Sequence, residues 1–420
     1  MLDLKFIREN PSLVQKAAKD KGIDIDINHV LEIDAKHREL SLSVQKLREE
    51  RNILTDLIRG RPTQEQIEKG KSLKERLEKE EHALSAVQEE LHEWLLKIPN
   101  IPAGDVPVGK DETGNKEIRK VGNIPKFSFS PKSHDELALS LDLYDRRHAA
   151  RIAGTRAYFL KNELVLLEQG VLQLALEFMI DQGFTPMTVP WIVNKETLWG
   201  TGYFPWGIDD HYTTQDGQGL IGTSEVSLTA YHQDEVLNEK DLPVKMVGVS
   251  PCFRREVGSY GKDTKGFIRV HQFNKVEQVI LTIADEEKTR EWHEKMLGFS
   301  EEILQKLELP YRVLLMCTGD MGAGQRKKYD LETWFPSQNI YRETHSASYF
   351  NDFQSRRLNI KYKAKDGSTK YVYTLNNTVI ATPRILAAIL ENYQQKDGSV
   401  IVPKVLKKFV FNLEKISPKR

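Results

Sequence analysis

Two short stretches concentrate side chains suited to holding a polyphosphate. Arg254-Arg255-Glu256 is followed, thirteen residues after Glu256, by Arg269-Val270-His271-Gln272-Phe273. Thr223-Ser224-Glu225 lies upstream and Arg384 downstream. The arginines stand among Val247, Val249, Phe253, Ile268, Val270, Val276, Val279 and Ile280, in segments that read as strands. A core strand holds several arginines only when something anionic sits against them. Guanidinium forks match phosphate oxygens, so a nucleoside triphosphate is one such partner and a buried ion-pair network is the other. On the first reading Arg254 and Arg269 take phosphates. Glu256 accepts from an adenine amine, and Phe273 stacks on the base.

Residues 30–98 carry a different pattern. Ile33, Leu40, Leu47 and Leu54 recur every seven residues, with Val44 and Ile58 on the alternate seam. Leu77, Leu84 and Leu91 repeat likewise, as do Leu73, Val87 and Trp94 with Glu80 between. Such spacing predicts two paired helices. Gly60 can end the first in a left-handed conformation, and Thr63 and Gln66 are spaced as a capping box for the second. The short link forces the helices antiparallel. A dimerisation coiled coil is the plainer reading of the periodicity, although the link lets the chain satisfy its own seam. The distal end, residues 57–76, has six basic residues against three acidic, a net +3 that suits a phosphate backbone.

Ile98-Pro99-Asn100-Ile101-Pro102 stops the second helix, and 103–130 reads as linker plus edge structure. Short apolar runs then alternate with helices near 161–182 and 285–307. No glycine-rich phosphate loop follows a strand, which predicts an α+β fold with an antiparallel sheet. The expected domains are 1–103 and 104–420.

Length and composition set bounds. The chain has 420 residues, 39% of them hydrophobic, and equal numbers of basic and acidic side chains, 61 each. Any nucleic-acid surface must therefore be local. Cys252 and Cys317 lack metal-ligand spacing and give no disulfide framework, no apolar run approaches a membrane span, and no signal pattern opens the chain. A cytoplasmic location is the expectation. Residues 401–420, at a net +5, read as a solvated tail.

Phe253-Arg254-Arg255-Glu256-Val257-Gly258-Ser259, with Asp263-Thr264-Lys265-Gly266-Phe267-Ile268-Arg269 running on to Val276-Glu277, resembles motif 2 of the class II aminoacyl-tRNA synthetases. The nearest resemblance is to the seryl-tRNA synthetase family in its bacterial form. Glu391-Asn392-Tyr393-Gln394 resembles the end of the motif 3 helix, and Gln182-Gly183-Phe184 through Pro190 resembles motif 1, at the family's dimer interface. The likeness runs in collinear order over nearly the whole chain. It implies an antiparallel sheet flanked by helices, behind a hairpin that grips tRNA. It implies ATP-dependent activation of L-serine and transfer to the 3′ end of serine tRNA, and of selenocysteine tRNA where one is present. An enzyme that delivers an aminoacyl-adenylate to a non-tRNA acceptor is the alternative, and a basic-tipped arm argues against it.

The resemblance carries roles to individual positions. Arg254, Arg269 and Arg384 are the implied catalytic cations. Glu256, Phe273, Glu343, Thr344, His345 and Ser346 join them around ATP, with Glu343 and Ser346 the implied magnesium ligands. Thr223, Ser224, Glu225, Arg254, Glu277 and Thr378 are implied around serine. Arg48, Arg51, Arg59, Arg61, Lys69, Lys71, Lys74 and Arg76 are implied for tRNA, and a homodimer is implied through the region of Pro190. Four positions depart from the family pattern: Gly222, Thr344-His345, Tyr349 and Asn377. His345 reads as packing, phosphate contact or pH-sensitive element, with packing favoured.

Overall fold

The computed structural model describes residues 1–58, 60–258 and 266–418. Arg59 and residues 259–265 of the quoted motif lie outside the described residues. The chain divides into two compact units, Met1–Ile101 and Pro102–Arg420.

The first unit holds α1 (Leu4–Glu9), α2 (Pro11–Asp20), α3 (Ile27–Leu57) and α4 (Gln64–Lys97). α3 starts where Asp26 accepts from the Asn28 amide at 2.9 Å, three residues before the expected boundary. α4 starts on the expected capping box: Thr63 Oγ1 accepts from the Gln66 amide, and Gln66 Oε1 accepts from the Thr63 amide. The seam belongs to this chain alone. Val44, Leu47, Leu73 and Leu77 form one buried cluster with Leu54 and Leu84, while Ile33, Val87 and Leu91 join a second with α1 and α2. Each such buried aliphatic contributes roughly 1.5–3 kcal/mol. α3 ends at Leu57, because Ile58 already has extended backbone; Gly60, expected to end it, follows with φ +96°.

The second unit is built on one eight-stranded sheet. In chain order its strands are β1 (Lys116–Val121), β2 (Thr185–Thr188), β3 (Val244–Phe253), β4 (Gln272–Thr282), β5 (Tyr311–Leu315), β6 (Lys327–Phe335), β7 (Ile340–Asn351) and β8 (Tyr373–Ala381). Their spatial order is β1-β5-β6-β7-β8-β4-β3-β2. Every pair is antiparallel except β2–β3 at one edge, so the expected antiparallel sheet flanked by helices is present with one parallel pair added. The exception follows from connection length. β2 reaches β3 through a long segment containing α6 (Glu225–Thr229), after which either direction is open.

α5 (Glu163–Asp181), α7 (Glu286–Lys306) and α8 (Thr382–Asn392) pack their apolar faces onto this sheet. Behind β8, Asn377 donates to the Met296 carbonyl and to Ser300 of α7, and Tyr349 is fully buried against His293 of α7. Two of the four departures thus face away from the opposite side of the sheet.

The C-terminus corrects another expectation. Residues 401–416 are no loose tail. Val400–Ile401 pairs with Lys415–Ile416, Leu406, Val410 and Ile416 are buried in the main core, and Lys408 pairs with Glu177 of α5. The buried apolar residues between the lysines outweigh their charge.

Candidate active site

The residues around Arg254 sit at strand ends, not within strands. β3 stops at Phe253 and β4 begins at Gln272, so Arg254, Glu256 and Arg269 lie on the connection. Of the four residues first given to the nucleotide, Phe273 alone is on a strand. This corrects the reading of arginines in core strands. The apolar neighbours belong to the hairpin, and the charges to the segment that crosses its mouth. Arg254 is fixed there by its Nε, which donates to the Gly222 carbonyl at 3.2 Å, and its guanidinium lies 5.2 Å from the Phe273 ring centre. A Cβ at Gly222 would meet only ordinary contacts, so the third departure is sterically open.

Strand periodicity sets one wall. Phe273, Lys275 and Glu277 alternate onto one face of β4, and Asn376 and Thr378 onto the same face of β8. Thr378 lies opposite Glu277 in the register and donates to its Oε2 at 3.2 Å. Lys275 Nζ meets the same oxygen at 2.5 Å, both side chains being almost wholly buried.

The second wall needs an irregularity. Glu343 and Ser346 are three apart and should point to opposite faces of a regular strand. A bulge in β7 falls between the pairs Leu331–His345 and Glu332–Glu343, so Thr344 is the extra residue. The phase shift brings Glu343 and Ser346 to one cavity. Arg384, in the first turn of α8, donates to the Glu343 carboxylate at 2.9 Å and to its carbonyl at 2.8 Å. Burial would raise the Glu343 pKa, but Arg384, Lys328 and Arg254 outweigh it and hold the carboxyl down at about 2. Thr344 turns to Thr333, at 2.8 Å between hydroxyls. His345 is 1% exposed, with Nδ1 at 2.8 Å from Thr344 Oγ1. Burial pushes its pKa down to about 4, so it is neutral near pH 7 and brings no cation to a phosphate. Of the three readings, packing fits.

One cavity of about 130 Å³ is lined by Thr223, Glu225, Arg254, Glu256, Phe273, Glu277, Glu343, Thr344, His345, Ser346, Thr378 and Arg384. Two expected residues do not line it. Ser224 is wholly buried beneath, its hydroxyl reaching the Gly248 carbonyl at 3.5 Å. Arg269 pairs with Glu256 at 2.6 Å and lines the adjoining 880 Å³ cleft, which shares Ile268, Glu343 and Arg384 with the first.

The structure adds residues the motif reading missed. Glu225 accepts from the Tyr203 hydroxyl at 2.6 Å, from Gln354 at 2.9 Å and from the Asn376 amide. Lys275 and Asn376 could have been found by period two from Phe273 and Thr378. Tyr203 and Gln354 come from distant segments and leave no local signal. Among the hairpin residues, Arg48, Arg51, Arg61, Lys69, Lys71, Lys74 and Arg76 are all exposed. Arg48 is held by Glu81 of α4 at 2.6 Å, and Lys74 lies 3.7 Å from Glu78.

An arginine at the mouth of one hairpin and another in the first turn of a helix, brought together over a largely antiparallel sheet, match the arrangement of a class II aminoacyl-tRNA synthetase. Residues 211–393 match the class II core domain of the synthetases for G, H, P, S and T, and residues 1–102 match the seryl-tRNA synthetase N-terminal domain. A serine–tRNA ligase of Deinococcus radiodurans is 44% identical over 98% of this chain and 97% of its own. Seryl-tRNA synthetase from Pyrococcus horikoshii, solved with ATP, superposes with a TM-score of 0.93 at 39% identity, both chains being covered completely. The cytoplasmic enzyme of Naegleria fowleri, solved with AMP, gives 0.89 at 32%, covering 100% of this chain and 99% of the other. The chain belongs to the seryl-tRNA synthetase family.

Proposed function

We propose that this protein activates L-serine with ATP and transfers the seryl group to the 3′ end of serine tRNA. The observation that carries this is one cavity lined both by two arginines, Arg254 and Arg384, and by the buried, hydrogen-bonded pair Glu277 and Thr378. In the first step the serine carboxylate attacks the α-phosphorus and pyrophosphate leaves. The terminal ribose hydroxyl of tRNA then takes the seryl group. Neither step asks the side chains for covalent chemistry, so position and fixed charge do the work.

Arg254, held by the Gly222 carbonyl, aims its charge at the α-phosphate. Phe273 stacks the base and Glu256 reads the amine. Arg269 and Arg384 take the terminal phosphates from the adjoining cleft. Glu277 and Thr378 pair the serine hydroxyl, and Thr223 and Glu225 border the ammonium. Alanine leaves that pair without its partner, which is a strong basis for rejection.

Glu343 and Ser346 fit a magnesium ion. Both offer hard oxygens to the same cavity, the carboxyl is held ionised, and a carboxylate has acceptor room beyond Arg384. Bound there, the ion neutralises phosphate charge.

The hairpin serves tRNA, because its seam is filled within one chain and its tip stays basic and exposed. A homodimer through the region of Pro190 is supported by the adjacent exposed apolar residues Trp191 and Ile192, at 47% and 50% exposure. No helix among the described residues is long and apolar enough to cross a membrane. Aminoacylation of a serine tRNA transcript with radiolabelled serine tests the function. Charging that requires ATP and the transcript is expected. Adenylate formation without charging would point to a non-tRNA acceptor.

A further inference from the structure

Gln354 has no part in the scheme above and does not line the cavity, yet its whole amide is committed to the cavity's walls. It stands on the short helix Phe353–Leu358, directly after β7, and is 1% exposed. Its Nε2 donates to Glu225 Oε1 at 2.9 Å and to the Thr201 carbonyl at 3.0 Å, and its Oε1 accepts from the Thr374 hydroxyl at 2.5 Å. These bonds fix which way the amide faces, since a flipped amide would set its oxygen against a carboxylate and a carbonyl. Thr374 opens a row. Thr374, Asn376 and Thr378 alternate onto one face of β8, in unbroken register opposite Leu281, Val279 and Glu277 of β4. Thr378 donates to Glu277 and Asn376 to Glu225, and Thr374 reaches Glu225 through Gln354.

Glu225 is the carboxylate that borders the serine ammonium, and its donors divide unevenly. Oε2 accepts from both Tyr203 and Asn376, while Oε1 accepts from Gln354, so of the roughly four acceptor places of a carboxylate the one left is on Oε1. All three donors are neutral, whereas Glu277 is paired with the Lys275 ammonium at 2.5 Å. Burial raises the Glu225 pKa and Glu277 adds to the rise, which the Tyr203 and Gln354 hydrogen bonds oppose. A cation in place of Gln354 would cancel the charge that a substrate ammonium needs. An apolar residue would leave a buried carboxylate short of a donor, which is costly. An amide does neither. We propose that Gln354, oriented by Thr374, is the positioning residue of the amino-acid pocket: it holds the Glu225 carboxylate with a neutral donor, so that the carboxylate's charge and the remaining place on Oε1 are kept for the ammonium of serine. The ammonium takes no part in the attack on phosphorus, so this contact is made alike in the ground state and the transition state. Binding of that kind shows in KM and not in kcat.

This role rests on the assignment of Glu225 to the ammonium, and the experiment separates the two. Serine-dependent pyrophosphate exchange on the full-length protein gives kcat, the serine KM and the ATP KM for wild type, Gln354→Met, Thr374→Val, Thr374→Ser and Glu225→Gln. Gln354→Met keeps the volume and removes the amide. Its serine KM is expected to rise on the order of tenfold, roughly what a hydrogen bond to a charged group contributes, with kcat and the ATP KM close to wild type. Thr374→Val, which releases the amide to turn, is expected to raise the serine KM by less. Thr374→Ser keeps the hydroxyl and is expected to match wild type. If Gln354→Met does not fold, the two Thr374 variants carry the test. Glu225→Gln is expected to raise the serine KM further than any of them. An unchanged serine KM in Gln354→Met or in Thr374→Val overturns the positioning role. So does a rise shared equally by the ATP KM, or a Thr374→Ser variant as impaired as Thr374→Val. A Glu225→Gln variant with the serine KM of wild type overturns the underlying assignment instead.

Discussion

At the residue scale the account turns on charge held where charge develops. Arg254→Ala removes the guanidinium aimed at the α-phosphate and leaves a gap that opens into the cavity, so folding should survive. Adenylate formation should lose on the order of 3–4 kcal/mol of transition-state stabilisation. Pyrophosphate exchange within a few-fold of wild type would remove Arg254 from the mechanism. Thr378→Val keeps shape and deletes the hydroxyl that donates to Glu277. Serine kcat/KM should fall by roughly 1–3 kcal/mol, and the serine-to-alanine ratio should narrow, because alanine never used that bond. An unchanged ratio would mean that Thr378 does not read the hydroxyl. Much of this was legible before any coordinates. Residue type and spacing picked out Arg254, and the resemblance to the family's motifs added Glu277, Glu343 and the role of Arg384. What spacing could not show was orientation. The bulge at Thr344 has no local sequence mark, yet it decides that Glu343 and Ser346 share a face. Ser224 lies beneath the cavity for the complementary reason: its neighbours Thr223 and Glu225 take the cavity positions.

At the scale of elements, the hairpin was read closely because heptad spacing and a capping box are local signals that tertiary context seldom overrides. Its function is separable. Replacing Arg61, Lys69, Lys71 and Arg76 by Gln leaves the buried seam of Val44, Leu47, Leu73 and Leu77 untouched. Serine-dependent pyrophosphate exchange should be unchanged, while tRNA binding weakens. For every phosphate that the tip no longer neutralises, the log–log salt dependence should flatten by about 0.7–0.9. An unaltered slope would leave the tip without a tRNA role. α7 gives a different test. His293 is buried there, its Nε2 at 3.0 Å from the Ala347 carbonyl, and burial pushes its pKa down to about 4. It folds neutral, whereas the unfolded chain takes up a proton below about 6.5. Its contribution is thus fully present above that pH and is lost as pH falls towards 4. His293→Gln should reduce the loss of Tm between pH 6.5 and 4 relative to wild type. Parallel curves for the two proteins would contradict this. The reading of arginines inside strands failed at this scale because hairpin strands and the segment joining them carry similar apolar residues, so composition alone does not mark where β3 stops.

At the scale of the whole molecule, a net charge of zero conceals a division of labour. Basic residues gather at the exposed hairpin tip, and opposed charges meet at the catalytic cleft. The basic C-terminus looked like a solvated tail because charge dominates its composition. Its interspersed Leu406, Val410 and Ile416 fix it to the core instead. The central claim is that this cavity activates serine. Wild-type protein should be assayed for ATP–pyrophosphate exchange against each of the amino acids in turn. The account predicts exchange with serine well above that with alanine, threonine or any other amino acid. Exchange that another amino acid supports better than serine, or none with any of them, would contradict it.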